Sequence, residues 1–115
     1  MAQDCIFCGI VEGRVPGAIV WEDDEVIAFR DISPRAPTHV LVIPRRHIAS
    51  VNDLEAKDAG LVGRLFLAAK VVAREEGIAE SGYRLVMNAG PDGGQTVDHI
   101  HLHVLGGRSM TWPPG

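Results

Sequence analysis

Residues Val97–Leu105 read VDHIHLHVL, so histidines alternate with other, mainly aliphatic, residues. A period of two is typical of a β-strand, because successive side chains of a strand point to opposite faces of the sheet. We therefore predict a strand that carries His99, His101 and His103 on one face and aliphatic side chains on the other.

Four further segments have the composition of strands, because each is rich in β-branched or other apolar residues. An almost continuous apolar run predicts a central strand that is buried on both faces. Working back along the chain from the histidines, the segments are Tyr83–Ala89, the central run Thr38–Pro44, Glu25–Asp31 and Ala18–Glu22.

Two helices are predicted from apolar residues at helical spacing. The short one spans Cys5–Glu12, and the long one spans Leu54–Glu76 and is terminated by Gly77. Asn52 followed by Glu55 resembles a capping box at the start of the long helix. Five strands and one main helix, with hairpins outnumbering crossovers, favour the α+β class with a mostly antiparallel sheet.

The composition is that of a soluble globular protein, with 46% hydrophobic and 23% charged residues among 115, and we expect one domain over residues 1–115. Eleven basic against 15 acidic residues give a net charge of -4, which argues against a binder of long nucleic acids. No run approaches the roughly 18 apolar residues of a membrane span. We expect a cytoplasmic protein without a membrane partner.

The only two cysteines, Cys5 and Cys8, lie too close together to lock a secreted fold, and in a reducing compartment such a pair suggests metal or redox chemistry. His47 and one histidine of the predicted strand would complete a Cys2His2 set that suits tetrahedral Zn2+. A redox pair and two inert thiols remain the alternatives.

The three clustered histidines admit two functional interpretations. Three imidazoles are costly to desolvate together, so packing alone explains them poorly. They form either a metal site or a site in which one imidazole is a nucleophile positioned by its neighbours. Neighbouring side chains on one face of a strand are about 7 Å apart, which favours separate roles.

A glycine-rich loop precedes the histidines, with Gly90, Gly93 and Gly94 followed by Gln95 and Thr96. Its backbone amides, together with the carboxamide and the hydroxyl, suit a phosphate. The loop lacks a lysine and leads into a strand, so it is not a P-loop. The alternative is an ordinary turn between neighbouring strands.

These residues together resemble the histidine triad superfamily. Its signature His-x-His-x-His-x-x, with apolar x, matches residues 99–105. Residues 93–96 before the signature and 106–115 after it are similar to the branch of histidine triad nucleotide-binding proteins. The similarity also covers Phe29–Pro34 and Ala36–Pro44, and hence nearly the whole chain.

The resemblance implies a homodimer whose two sheets join, and a hydrolase that cleaves purine nucleoside phosphoramidates or aminoacyl adenylates at the α-phosphorus. His101 would be the nucleophile that forms a nucleotidyl-imidazole intermediate, from which water releases the nucleoside monophosphate. His103, Gln95 and Thr96 would complete the catalytic set through contacts with the phosphate and the leaving group.

The resemblance also implies a nucleotide pocket, whose apolar members have ordinary core packing as their alternative role. Asp31 would bind the ribose, with a turn residue as its alternative, and Trp112 would reach the partner's site, with a loose tail as its alternative. The whole set is Asp31, Asn88, Gly94, His39, Trp112, Ile6, Phe7, Ile10, Phe29, Ile32 and Leu41.

Bacterial members that have the cysteine pair resemble zinc-binding forms of the family. By this resemblance, the zinc ligands would be Cys5, Cys8, His47 and His99. Zinc would then be structural and the chemistry would need no cofactor, because four protein ligands leave no water to activate. Two positions depart from the family pattern. Thr96 replaces a common serine, and Asp98 stands where an aromatic residue is common.

Other functions remain open on the sequence. The same nucleophile would serve a dinucleoside polyphosphate hydrolase or a nucleotidyl transferase. An intact site is also compatible with a nucleotide-binding interaction protein whose hydrolysis is incidental. A third alternative is a catalytic zinc hydrolase with all three clustered histidines as ligands.

Overall fold

The computed structural model describes residues 4–115. Two helices and five strands follow one another in the order α1-β1-β2-β3-α2-β4-β5. Their bounds are α1 Ile6–Val11, β1 Ile19–Glu22, β2 Val26–Arg30, β3 Thr38–Pro44, α2 Ala59–Glu75, β4 Tyr83–Val86 and β5 Leu102–Gly106.

The five strands form one sheet in the order β1-β2-β3-β5-β4, and every neighbouring pair is antiparallel. The predicted α+β class with an antiparallel sheet is therefore confirmed. Strand β5 lies between β3 and β4, so that His103 stands opposite Leu41 on one side and Val86 on the other. This histidine therefore lies on an inner strand of the sheet and not on an edge strand.

Strand β3 is buried on both faces, as predicted, and its alternating side chains enter two separate cores. Val40 and Val42 belong to the larger core, into which α2 packs with Leu65. Leu41 and Ile43 belong to the smaller core on the other face. Burying one such aliphatic side chain stabilises the fold by about 1.5–3 kcal/mol, so both faces of the sheet are held firmly.

The long helix begins at Ala59 and not at Leu54 as predicted. A short 3-10 turn at Ala56–Asp58 takes the place of its expected first residues, and another at Val51–Asp53 precedes them. The capping box is formed by Glu55 and Asp58, not by the predicted Asn52 and Glu55. The backbone N–H of Glu55 donates to Asp58 Oδ2 over 2.9 Å, and Arg46 donates to the other oxygen of that carboxylate. A local capping box, with Arg46 as a further partner of Asp58, therefore lies directly before the helix.

The strand predicted over Val97–Leu105 begins only at Leu102. Strand β4 likewise ends at Val86, before the predicted Ala89, and residues 97–101 have no ladder partner within residues 4–115. Hydrogen bonds to segments distant in sequence take the place of the ladder. The backbone N–H of Ile100, for example, donates to Ile48 O over 2.8 Å. Of the three clustered histidines, only His103 lies on a strand, so the strand period does not account for the positions of the other two.

No helix in the part of the chain that the structure describes is long and apolar enough to cross a membrane.

Candidate active site and metal centre

Three histidine rings meet on one side of the sheet. His39 on β3 and His103 on β5 have ring centroids 5.2 Å apart, and the ring of His101 lies 5.0 Å from that of His103. His39 and His101 are buried, with exposed fractions of 6% and 4%. The structure therefore brings the predicted nucleophile, its neighbour in the signature and the predicted nucleotide contact His39 into one cluster.

The backbone assigns the tautomer of His101. Its Nδ1 lies 2.8 Å from the carbonyl oxygen of His99, which only accepts hydrogen bonds, so Nδ1 carries the proton. The other ring nitrogen, Nε2, then holds a free lone pair in the neutral imidazole. The edge contact between the rings of Phe7 and His101, at 5.2 Å, helps to fix the orientation of the imidazole. This is the arrangement that a nucleophilic imidazole needs.

A chain of hydrogen bonds assigns the tautomers of the other two rings. The backbone N–H of Arg35 donates to His39 Nδ1 over 3.0 Å, so the proton of His39 is on Nε2. That proton points to His103 Nδ1 at 2.9 Å, which places the proton of His103 on its own Nε2. This Nε2 is buried and has no hydrogen-bond partner among the described residues. Because an unpaired buried donor costs free energy, it calls for an acceptor supplied by a ligand.

Burial keeps the rings of His39 and His103 neutral. It is the main reason why the pKa of His103 falls to about 4, and the nearby rings of His101 and His39 lower that pKa further. Burial also lowers the pKa of His39, against the opposing effect of Asp31. His103 therefore donates its hydrogen bond as a neutral imidazole near pH 7, not as an imidazolium.

Asp31 lies beside this chain of bonds. Its Oδ1 accepts the backbone N–H of Ser33 over 2.8 Å, as in a turn, and its Oδ2 is 3.4 Å from His39 Nε2. Asp31, His39 and His103 are close enough together to suggest a metal site. The proton on His39 Nε2 argues against one, because a ligating nitrogen needs a free lone pair.

The glycine-rich loop, which precedes the clustered histidines in the chain, has a tightly turned backbone. Gly90 and Gly94 have φ values of 74° and 85°, a region that glycine adopts without strain. A Cβ on Gly93 would come within 2.4 Å of Ala89 O, so this position also requires glycine. The side chain of Asn88 reaches the loop at Gly94 O over 3.5 Å, whereas Thr96 is exposed.

The predicted apolar nucleotide contacts fall into two groups. Phe7, Ile10, Phe29 and Leu41 are buried in the smaller core on the histidine side of the sheet. Ile6 and Ile32, by contrast, are 48% and 95% exposed.

The last predicted contact, Trp112, is 81% exposed and lies with the edge strand β4 along an open groove. Arg84 holds this part of the tail by donating to Thr111 O over 2.7 Å. Within one copy of the chain, Trp112 therefore lines the sheet edge.

The four predicted metal ligands, Cys5, Cys8, His47 and His99, also come together, with ligand atoms within 4.8 Å of one another. Cys8 Sγ is 3.2 Å from His47 Nδ1 and 3.5 Å from His99 Nδ1, while Cys5 Sγ is 3.4 Å from His99 Nδ1. Tetrahedral Zn2+, with bonds of about 2.3 Å to sulfur and about 2.0 Å to nitrogen, would hold such atoms about 3.5 Å apart.

The chemistry of this cluster suits a cation as well. His99 Nε2 donates to the carbonyl oxygen of Pro44 over 2.8 Å, which leaves the lone pair on Nδ1, the atom that faces the thiols. Burial and the neighbouring Cys5 raise the pKa of Cys8 to about 11. A divalent ion would supply the positive charge that a buried thiolate lacks. The residues therefore fit a metal centre.

Sequence reasoning missed the backbone groups that orient these rings. The N–H of Arg35 and the carbonyl of Pro44 set the tautomers of His39 and His99. Backbone groups leave no signature in residue types. The proline-rich loop before β3 and the proline at the end of β3 marked only where the chain would turn.

Known proteins share much of this sequence. A HIT domain family model matches residues 12–110. The chain is 52% identical over 110 residues to the purine nucleoside phosphoramidase of Escherichia coli K12, covering 96% of this chain and 92% of that protein. It is 51% identical to an uncharacterised HIT-like protein of Synechococcus elongatus, over the full length of both.

The solved structures lead to the same family. A HIT family hydrolase from Legionella pneumophila is 54% identical and superposes with a TM-score of 0.96, covering 97% of this chain and 100% of that one. A HIT family hydrolase from Clostridium thermocellum is 46% identical, with a TM-score of 0.94 and coverage of 96% of both chains. This chain belongs to the HIT, or histidine triad, family.

Proposed function

We propose that the protein is a purine nucleoside phosphoramidase that also accepts aminoacyl adenylates. The hydrogen bond from His101 Nδ1 to His99 O carries the proposal, because it frees Nε2 for attack on the α-phosphorus. The similarity to the phosphoramidase of Escherichia coli supports the substrate class.

In the proposed reaction, His101 Nε2 bonds to the α-phosphorus and the bond from phosphorus to the leaving group breaks. The amine of a phosphoramidate takes up one proton from the solvent, whereas the carboxylate of an aminoacyl adenylate leaves without one. Water then attacks the phosphorus, the bond to the imidazole breaks, and the nucleoside monophosphate leaves with release of a proton. The unpartnered N–H of His103 donates to the phosphate or to the departing atom and stabilises charge in the transition state.

Four neighbours complete the substrate site in this proposal. Asp31 Oδ2 accepts from the ribose, while Thr96 and Asn88 donate to the phosphate as polar groups beside the glycine-rich loop. The purine lies against the smaller core, with Ile32 as an exposed apolar side chain free to cover it.

Rapid quench followed by intact-mass analysis tests the covalent step directly. Wild type mixed with an adenosine phosphoramidate should form an adduct heavier by one adenylyl group, which then decays. His101→Ala should form none, whereas Asp98→Asn, an exposed neighbour, should behave as wild type. Full turnover by His101→Ala would refute the proposal.

We also propose that Cys5, Cys8, His47 and His99 bind structural zinc. The metal would supply a cross-link between the start of α1, the segment after β3 and the turn before β5. Elemental analysis of the purified protein tests this directly. One zinc per chain is expected in wild type, and none in the double variant Cys5→Ser with Cys8→Ser.

We further propose that two copies pair through β4, joining their sheets. Strand β4 is an open edge of the sheet, and an unpaired edge offers its backbone groups to another strand. On helix α2, the large apolar residues Phe66 and Leu67 have exposed fractions of 47% and 61%, which suits a contact surface. Light scattering should give twice the chain mass, and Leu67→Glu should lower it while Lys57→Glu does not. The cytoplasmic location stays a prediction.

A further inference from the structure

The carboxamide of Gln95 is engaged entirely within the chain. Its Nε2 donates to Ala49 O over 2.6 Å and to Val97 O over 3.0 Å. Its Oε1 accepts the backbone N–H of Gly90 over 3.0 Å. Two carbonyls on one side and one N–H on the other fit only this orientation of the amide.

This bonding leaves Gln95 nothing to donate to a phosphate. Both amide hydrogens are already shared with carbonyl oxygens, and the free capacity is one lone pair on Oε1. Phosphate oxygens are anionic and bind donors, so that lone pair would repel them. A direct contact with phosphate would first require breaking the hydrogen bond to Ala49 O or Val97 O. Breaking it is unfavourable, because a half-buried carbonyl would lose its donor.

The partners of Gln95 are well placed to act on the nucleophile. Ala49 follows Ile48, whose carbonyl accepts the backbone N–H of Ile100 over 2.8 Å. The hydrogen bonds of the Gln95 side chain and the bond at Ile100 therefore attach the segment Ile48–Ala49 to the chain on both sides of His99. The carbonyl of His99 is in turn the group that orients the ring of His101.

We propose that Gln95 is a positioning residue, whose side chain clamps the glycine-rich loop to Ala49 and thereby holds Thr96 and the His99 carbonyl in place without touching the substrate. The role in catalysis rests on the proposed function, because it requires His101 as the nucleophile. The clamp itself does not depend on that function.

Amide hydrogen exchange of Gln95→Leu tests the clamp. Leucine has a similar size but no hydrogen-bonding group, so exchange at Gly90 and at the indirectly held Ile100 should rise at least about tenfold. The kcat for an adenosine phosphoramidate should fall while the melting temperature changes modestly. In the matched control Thr96→Val, activity should fall but exchange at Ile100 should stay as in wild type.

The proposal is overturned if Gln95→Leu loses activity with unchanged exchange at Ile100, which is the pattern of a direct contact. A second measurement uses wild type and so does not depend on the variant folding. The NMR scalar coupling across the hydrogen bond between Gln95 Nε2 and the Ala49 carbonyl should persist when adenosine monophosphate is added. Its loss on binding would also contradict the clamp.

These outcomes separate the clamp from the proposed function. Wild type without phosphoramidase activity would refute the function, yet the exchange and coupling results would still decide whether the clamp exists. Retained activity in Gln95→Leu with faster exchange would refute the positioning role alone.

Discussion

His39 Nε2 lies 2.9 Å from His103 Nδ1, although the two residues are 64 positions apart in the sequence. The partner of His39 on its other nitrogen is a backbone N–H, which cannot accept a proton. The pair is therefore directional: His39 donates, His103 accepts, and His103 presents its own N–H to the site.

Replacing His39 tests this direction. His39→Leu should lower kcat about tenfold, since His103 would lose the donor that keeps its proton on Nε2. His39→Gln offers an N–H near the same place and should retain most of the activity. Nitrogen chemical shifts of His103 should show mixed tautomers in the leucine variant only. Wild-type kcat and shifts in His39→Leu would contradict the assignment.

The sheet could be predicted from the sequence, because its strands depend on local pattern. The residues of the two histidine clusters were named through the resemblance to the histidine triad family. Burial determines that β3 and β5 are inner strands of the sheet. The apolar residues in both segments indicate that burial directly. The cysteine spacing suggested a metal centre with His47 and one of the clustered histidines, and the resemblance then singled out His99, which the structure places beside the other three.

The remaining features depend on contacts between distant segments, which no local pattern records. Arg46 donates to Asp58, the residue directly before α2, across 12 positions of sequence. The bond from Ile100 to Ile48 draws the chain away from the strand ladder just before β5. At Ile100 the local strand preference was therefore outweighed by one specific long-range partner.

The buried rings predict a loss of stability in mild acid. The pKa of His103 is about 4 in the folded protein and about 6.5 when solvated, so the unfolded chain binds more protons between these values. The free energy of unfolding should therefore fall as pH is lowered from about 6.5 towards 4, and His39 contributes in the same direction.

Urea unfolding at about pH 7.5 and about pH 5 measures this loss. His103→Asn serves as the comparison, because it removes one titrating ring while its side-chain oxygen can still accept from His39 Nε2. The variant should lose less stability than wild type between the two pH values. An equal loss in both proteins would show that His103 does not cause the dependence.

Removing the metal should lower stability and activity together. The proposed ion ties α1 to the turn that carries His99, whose carbonyl orients the nucleophile. A chelator, or the double variant Cys5→Ser with Cys8→Ser, should lower the melting temperature by several degrees and reduce kcat in parallel. His101→Ala is the control that should lose activity but keep both the metal and the melting temperature. Chelation that abolishes turnover with an unchanged melting temperature would instead indicate a catalytic metal.

Deleting Trp112–Gly115 should change substrate choice more than folding. Trp112 is 81% exposed, so its removal takes little buried apolar surface from its own chain. In the proposed dimer this tail would border the partner's leaving-group pocket, and its loss should alter the ratio of kcat/KM between bulky and small amines. The single variant Trp112→Ala should reproduce most of that change while leaving the contact of Arg84 with Thr111 O in place. A fall of many degrees in melting temperature, with an unaltered ratio, would make the tail a structural element instead.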